Sequence, residues 1–408
     1  MENQNFIITS LQPWDLEIGS TIKNTALELS KKNRVMYINT PMDYTTWLRG
    51  DKNAAYKHRM EVIKKRVSNI RQINENMWVI DCPFLLYPVS KLPTTWLFDY
   101  INRINNKKIA KLILETTTIL NFKNAIHIID TDIYRSLYLK ELINPKLSVY
   151  YCRDYVITKA YWKKNGTRLE PIIAAKADLV LTNSTFFSER FKQHNPNTYA
   201  IETGVNLELY NISRNYIIPN DLQSIPHPIV GYVGNINGRR LDSDLLLYLA
   251  QQRPQYNFVF VGFEDKHFSQ HLLHQQKNVY FLGKKSTNVL PDYIYGFDIC
   301  INPQIVNEIT EGNYPLKIDE YLAMGKPIVA TRTHTMKDVF SEWVFLASDK
   351  SEYLLAMDSA MEEINNTNKN KGRVAFAHTH SWENSVQKIY NCISNSIKNG
   401  TPIQNKTL

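Results

Sequence analysis

The chain has 408 residues, 43% hydrophobic and 12% aromatic, enough apolar surface for more than one core, and its length predicts two or three domains. Its four cysteines (Cys82, Cys152, Cys300, Cys392) stand apart without CxxC or Cys/His spacing, which excludes a disulfide scaffold and a structural zinc site and fits a reduced, cytoplasmic compartment. The formal charge of +9 belongs to the first half: residues 1–210 carry 29 Lys and Arg against 20 Asp and Glu, the remainder 19 against 19.

In chain order, short apolar runs alternate with helical patterns. The first series of candidate strands covers 6–11, 35–39, 77–82, 125–130, 147–152, 177–184 and 198–203. A second series covers 229–235, 257–263, 279–283, 299–304, 327–331 and 344–348. Such alternation predicts two parallel sheets, each covered by helices on both faces. Between the series, "YNISRNYIIPNDLQSIPHP" (210–228) has three prolines and no clear period, so it reads as a linker. The expected layout is a first domain over 1–210, a linker over 211–228, a second domain over 229–380 and a terminal helix over 381–400. The Asn-rich "NNTNKNKG" (365–372) reads as a flexible insertion. Open parallel sheets bind ligands beyond the carboxyl ends of their strands, so the active site is expected in a cleft between the two domains. The first residues lack a basic start and a long apolar run. No stretch approaches the ~18 apolar residues of a membrane span, and a protein neither secreted nor integral is expected.

Two basic clusters, 57–71 ("KHRMEVIKKRVSNIR") and 103–111 ("RINNKKIAK"), interleave charge with apolar residues. They are either solvated helix faces or contacts to an anionic membrane surface, which would make the protein peripheral on the inner leaflet. No nucleic-acid signature accompanies them, and no nucleic-acid partner is expected.

Three segments of the second half carry candidate chemistry. "VGYVGNINGRR" (230–240) gives a strand and a glycine loop, with Gly234 allowing close approach of a ligand and Arg239 and Arg240 adding fixed positive charge suited to a diphosphate. It contains neither GxGxxG nor a P-loop. "VYFLGKK" (279–285) repeats the theme with Lys284. "GNYPLKIDEYLAMGKPIVAT" (312–331) reads as a loop through Gly312 and Asn313, a helix from about 315 to 324, a turn and a strand. On that helix Lys317 and Glu320 lie within roughly 60° of each other among apolar neighbours. The pair is either an intrahelical salt bridge or a ligand site, in which the carboxylate accepts from a ribose diol and the ammonium meets phosphate.

On the first domain the polar residues at strand ends are Asp130, Asp132 and Asp154 as candidate acids or bases, with Gly19, Ser20 and Arg153 beside them as candidate contacts to a second substrate. Asp130 and Asp154 read equally well as helix caps. His127 lies in an apolar strand and reads as core, and His378 and His380 read as structural because no ligand set accompanies them. No metal site and no cofactor are expected.

"GNYPLKIDEYLAMGKPIVAT" resembles the donor-binding signature of GT-B glycosyltransferases, above all the family 4 group (glycosyl transferases group 1). "ADLVLTNS", "IETGVNLELY", "VGYVGNI" and "VYFLGK" fall where that family has comparable strands and turns. The opening "LQPWDLEIGSTIKNTALELSKKNRVMYIN" resembles bacterial members that build surface polysaccharides. The resemblance implies two Rossmann-like domains, a nucleotide-diphosphate sugar on the second, a saccharide or lipid-linked acceptor on the first, and a last helix crossing back to the first domain. It implies that Glu320 binds the donor ribose, Arg239 or Arg240 the diphosphate, and that Lys284 lies beside the base. It also implies a retaining, metal-independent transfer in which the departing phosphate serves as base. One departure stands out: the family's first glutamate falls at Gly312, with Glu311 one position out of register. Two alternatives stay open, a nucleotide-sugar epimerase or hydrolase on the same scaffold and a catalytically silent binding subunit.

Overall fold

The computed structural model describes residues 1–15 and 20–398. The described residues form two compact units: those within 1–201 together with 385–398, and residues 202–384.

In the first unit eight strands form one sheet: β1 (Asn5–Ser10), β2 (Arg34–Ile38), β3 (Ile70–Asn74), β4 (Met77–Ile80), β5 (Ile126–Asp130), β6 (Leu147–Cys152), β7 (Leu179–Thr182) and β8 (Thr198–Ala200). Their order is β3-β4-β2-β1-β5-β6-β7-β8, and all neighbours are parallel except β3 with β4. Alternation places Phe6 and Ile8 of β1 in one core layer and Ile7 in the other. The helix Trp382–Lys398 lays Val386, Ile389, Tyr390 and Ile393 on the Phe6–Ile8 layer, an i, i+3, i+4, i+7 stripe. Its Tyr390 hydroxyl accepts from Asn33 Nδ2 at 2.7 Å.

Six parallel strands build the second unit: β9 (Ile229–Val233), β10 (Asn257–Val261), β11 (Val279–Phe281), β12 (Ile299–Asn302), β13 (Ile328–Thr331) and β14 (Phe345–Ala347), in the order β11-β10-β9-β12-β13-β14. In each sheet the chain adds strands on one side and then reverses. The reversal lies between β1 and β5 in the first unit and between β9 and β12 in the second. A crevice opens at such a point because consecutive connections leave it in opposite directions.

Every candidate strand of the sequence reading is present, and β3 is an addition. Its residues "IRQIN" are half-buried to exposed and pair antiparallel on the sheet edge, so no apolar run announces it. The division of the chain also differs from the sequence layout. Residues 202–228 belong to the second unit, because Val205, Tyr210, Leu222 and Ile225 are buried in its core and Asp221 pairs with Lys285 at 2.7 Å. Nor is 365–372 an insertion. Asn366 caps the helix Thr367–Thr379, and Gly372 packs so closely on Trp343 that a Cβ would lie 2.3 Å from its ring.

The two basic clusters are not equivalent. In 57–71 most charges are neutralised within the unit: Arg59 and Arg71 each reach Asp15 at 2.9 Å, Arg71 also reaches Asp81 at 2.7 Å, and His58 lies 3.0 Å from Asp81. Lys64 and Arg66 share Glu61 at 3.7 and 3.4 Å. The 103–111 cluster instead lies on the helix Thr95–Ile119, where Arg103, Lys107 and Lys111 are exposed and only Lys111 has an acidic neighbour among the described residues, Glu115 at 3.8 Å. Among the described residues no helix is long and apolar enough to cross a membrane.

Candidate functional site

At the carboxyl ends of β9 and β12 the second unit brings together residues from three connections. The loop after β12 runs through Gly312 and Asn313, both buried, into the helix Leu316–Ala323, which Pro315 precedes at the cap position. Lys317, in the first turn, extends across the end of β9. Its ammonium lies 3.8 Å from the centroid of the Tyr232 ring and donates to the Tyr232 hydroxyl. Gly234 makes room for it: a Cβ there would sit 2.7 Å from Lys317 Nζ, and its φ of +141° is a conformation that favours glycine. Gly262 is equally constrained, since its Cβ would meet the Gly234 carbonyl oxygen at 1.7 Å.

Burial pulls the Lys317 ammonium down to about 7, against the attraction of Glu320 and with the help of Arg240. The Glu320 carboxyl is pushed up to about 7 by burial, opposed by Lys317 and the Tyr210 hydroxyl and assisted by Asp319. Among the described residues no ion pair within 4.0 Å joins Lys317 to Glu320. The intrahelical salt bridge considered from sequence is therefore absent. The site holds an ammonium and a carboxyl, both desolvated and poised near neutrality, with a guanidinium in electrostatic reach.

On the face of the helix turned toward the core, Asp319 is fully buried. Its carboxylate accepts from the Tyr314 hydroxyl at 2.7 Å, and His380 Nδ1 lies 2.8 Å away on the other oxygen. The Tyr321 hydroxyl accepts from Val233 N at 2.8 Å. These contacts fix the roll of the helix and so hold Lys317 and Glu320 over the end of β9. His380 is thus structural, as the sequence reading has it.

Asn302, the last residue of β12, was not singled out from sequence. It alternates onto the same side as Cys300, which packs with Ile318 and Tyr321. It is 1% exposed, yet neither atom of its side-chain amide has a hydrogen-bond partner among the described residues. The Gln304 side-chain oxygen is in the same condition two residues on. A buried polar group left unsatisfied costs about 1–3 kcal/mol, so the Asn302 amide and the Gln304 oxygen call for a partner, water or ligand, beyond the described side chains. The available signal was a polar residue ending an apolar strand.

The remaining sequence candidates are less concentrated. Arg240 joins the cluster electrostatically, whereas Arg239 is exposed and its carbonyl accepts from Asn307 Nδ2 at 3.1 Å. Lys284 is exposed after Gly283, beyond β11 and so two strands from β9, or roughly 10 Å across the sheet. Glu311 accepts from His334 N at 3.2 Å through Oε1, at the start of the helix His334–Phe340, and its Oε2 is buried without a partner among the described residues.

In the first unit the candidate acids are engaged by arginines. Asp130, fully buried, accepts from both Nε and Nη2 of Arg153, the latter at 2.8 Å, and from Ser10 Oγ at 2.5 Å. Asp132 pairs with Arg135 Nε at 3.0 Å. These are ion pairs of the fold, and neither carboxylate stands open as an acid or base. Asp154 is partly exposed, and its carbonyl accepts from Val156 N at 2.9 Å. Ser20 caps the helix Thr21–Ser30 through Lys23 N at 3.3 Å, and Gly19 lies outside the described residues. His127 is fully buried at 3.0 Å from Thr9 Oγ1, and burial pulls its imidazole down to about 3. Among the described residues no group of three or more His, Cys, Asp or Glu is placed to hold a metal ion.

Comparison with known proteins agrees with this architecture. Residues 227–363 match the family described as Glycosyl transferases group 1. Over 243 residues, 57% of this chain and 58% of the relative, the sequence is 24% identical to TuaH of Bacillus subtilis (strain 168), assigned to teichuronic acid biosynthesis as a glycosyltransferase. The match spans little more than half of that relative's length. Among solved structures, Anabaena HepE in complex with UDP and glucose superposes with a TM-score of 0.62 at 16% identity, covering 96% of this chain and all of the other. Sucrose-phosphate synthase from Thermosynechococcus elongatus gives 0.69 at 15% identity, covering 98% of this chain and all of the other. The chain has the GT-B fold, and its residues 227–363 are similar to the glycosyl transferases group 1 family.

Proposed function

We propose that the protein is a glycosyltransferase that moves a sugar from a nucleotide-diphosphate donor to a saccharide or lipid-linked acceptor in surface polysaccharide biosynthesis. The observation that carries this reading is the Lys317–Glu320–Arg240 cluster at the strand reversal of a domain similar to the glycosyl transferases group 1 family, where among the described residues no ion pair within 4.0 Å holds Lys317 or Glu320. Lys317 and Arg240 would neutralise the diphosphate as it departs, so the leaving group needs no metal, and Glu320 would accept from the ribose hydroxyls. HepE, a structural neighbour, has been solved with UDP-glucose, which supports the donor class, and TuaH, a relative in sequence, is assigned to teichuronic acid biosynthesis, which supports the pathway class. Transfer is read as retaining, with the departing phosphate oxygen taking the acceptor proton. The engagement of Asp130 and Asp132 by arginines favours this reading over a side-chain base in the first unit.

The acceptor reading includes the membrane surface, and the helix Thr95–Ile119 supports it. Trp96, Tyr100, Arg103, Lys107, Lys111 and Leu114 fall within about 80° of one another around that helix. All are exposed, Trp96 by 68% and Tyr100 by 62%. Aromatic rings at one end and cations at the other suit a headgroup layer carrying anionic lipid.

The deciding experiment is a thermal-shift screen of nucleotide sugars followed by product analysis with and without acceptor. A donor that raises the melting temperature of the wild type and not of Glu320→Gln supports the reading. Sugar release or epimerisation without acceptor dependence would favour the hydrolase or epimerase, and binding without turnover a silent subunit.

A further inference from the structure

The first unit holds a cavity of about 220 Å³ at the carboxyl ends of β2, β4, β5 and β6, lined by Asp43, Tyr87, Asn105, Arg135, Tyr161 and Trp162 among others. None of these residues was a sequence candidate. The wall is aromatic and fixed: the Tyr161 and Trp162 rings lie 4.7 Å apart at 75°, and both pack on Tyr134, at 5.6 and 4.2 Å. The Tyr134 hydroxyl donates to the carbonyls of Tyr161 and Trp162 at 3.3 Å, which locks that turn. Opposite, Asn105 holds Tyr87 by both backbone groups, at 2.9 and 2.8 Å, and Tyr87 stacks on Tyr44 at 5.5 Å.

The polar groups of the cavity are few and directional. Asp43 caps the helix Tyr44–Arg49 through Oδ1, at 2.7 Å from Thr46 N, and Oδ2 has no partner among the described residues. Arg135 is tied by Nε to Asp132 and by Nη2 to the Ser10 carbonyl at 3.3 Å, while Nη1 has no partner among the described residues. Tyr161 is 46% exposed. Its hydroxyl is held above the usual phenol range first by desolvation, with Arg135 opposing and Asp132 and Asp43 adding, so all three charges reach one hydroxyl.

We propose that this cavity takes one uncharged pyranose of the acceptor, its C–H face on Tyr161 and its vicinal hydroxyls shared between Asp43 and Arg135. This rests on the glycosyltransferase reading and names the acceptor's chemical class. Three features select the class. Sites for drug-sized ligands run to ~300–1,000 Å³, so this volume suits a single ring better than a whole nucleotide. An aromatic face attracts the polarised C–H groups of a sugar. With Arg135 already paired to Asp132, Asp43 leaves the cavity net negative, which favours a hydroxyl donor over a carboxylate or phosphate.

The test uses ligand-observed saturation-transfer NMR on the full chain, with methyl glucoside, galactoside, mannoside and N-acetylglucosaminide as probes and methyl glucuronide as the charged control. Binding by an uncharged glycoside, weakened at least tenfold by Tyr161→Ala and by Asp43→Asn, supports the assignment. Asp43→Asn keeps the helix cap, because asparagine caps as well as aspartate. Unchanged melting temperature and an unchanged nucleotide thermal shift show that both variants are folded. No signal from any uncharged probe, a signal that survives both substitutions, or tighter binding of the glucuronide overturns the assignment. The nucleotide screen separates the two readings: saccharide binding without any nucleotide binding sinks the transferase and leaves the cavity, and the converse sinks only the cavity.

Discussion

The two sheets present charge at their carboxyl ends in opposite ways. At the reversal of the first sheet, Asp130 meets Arg153 and Ser10, and Asp132 meets Arg135, so each carboxylate has a protein partner of opposite charge. At the reversal of the second, Lys317 and Glu320 are desolvated toward neutrality, and the Asn302 amide has no partner among the described residues. A buried charge that the fold itself satisfies is part of the architecture. One that it holds short of satisfaction is poised for a ligand. Polar residue types at strand ends are alike in the two sheets, and only partnership separates the roles.

The contrast is tested most severely by stability. Arg153→Met leaves Asp130 buried and uncompensated, and the loss should be about 3–5 kcal/mol, read from the urea midpoint of the first unit's unfolding. Nucleotide affinity should survive where the variant is folded. A loss below about 1 kcal/mol would make the two edges equivalent. Next in size, Lys317→Met should weaken nucleotide-sugar binding tenfold or more in calorimetry, the equivalent of about 1.5–3 kcal/mol for a charged hydrogen bond. Because it removes a buried cation, the same substitution should leave the melting temperature unchanged or raised, which Arg153→Met cannot do.

The third expectation concerns pH, where the two charges of the second site should pull in opposite directions. Diphosphate raises the pKa of Lys317, so binding takes up a proton, and in Glu320→Gln affinity should fall as pH rises through the lysine's own pKa, at or below about 7. A diol favours ionised Glu320, so binding releases a proton, and in Lys317→Met affinity should rise with pH up to about 7 or above. Each slope can approach tenfold per pH unit, and slopes of the same sign in the two variants would break the assignment of roles. The smallest effect compares the basic clusters. Changing Arg103, Lys107 and Lys111 to glutamine should reduce co-sedimentation with anionic vesicles by about 1 kcal/mol per residue, while Lys64, Lys65 and Arg66, two of which share Glu61, should matter little. Equal losses would place both clusters at the membrane.

Strand positions were legible because buried parallel strands are continuous apolar runs, and the helix of Glu320 was legible from its proline entry and glycine exit. β3 was not, since an exposed edge strand has no apolar pattern. Residues 365–372 were misread because Asn366 and Gly372 serve as a cap and a close contact, roles that composition does not distinguish from a loop. In the site, Gly234, Arg240, Lys317 and Glu320 could be found on a motif. Asn302 and the Tyr161 cavity could not, because their significance lies in which partners are missing and which walls meet. The engagement of Asp130 by Arg153, 23 positions away, is likewise a tertiary fact.

The helix Trp382–Lys398 also sets an order of assembly. The second unit is a single uninterrupted stretch, whereas the Phe6–Ile8 layer of the first lacks Val386, Ile389, Tyr390 and Ile393 until the second unit has left the ribosome. Domains tend to fold as they emerge, at ~5–20 residues per second, so the first unit, whose strands precede the second, is completed only after it. For tens of seconds its newborn sheet carries an uncovered apolar strip, the period in which a nascent chain most needs a chaperone.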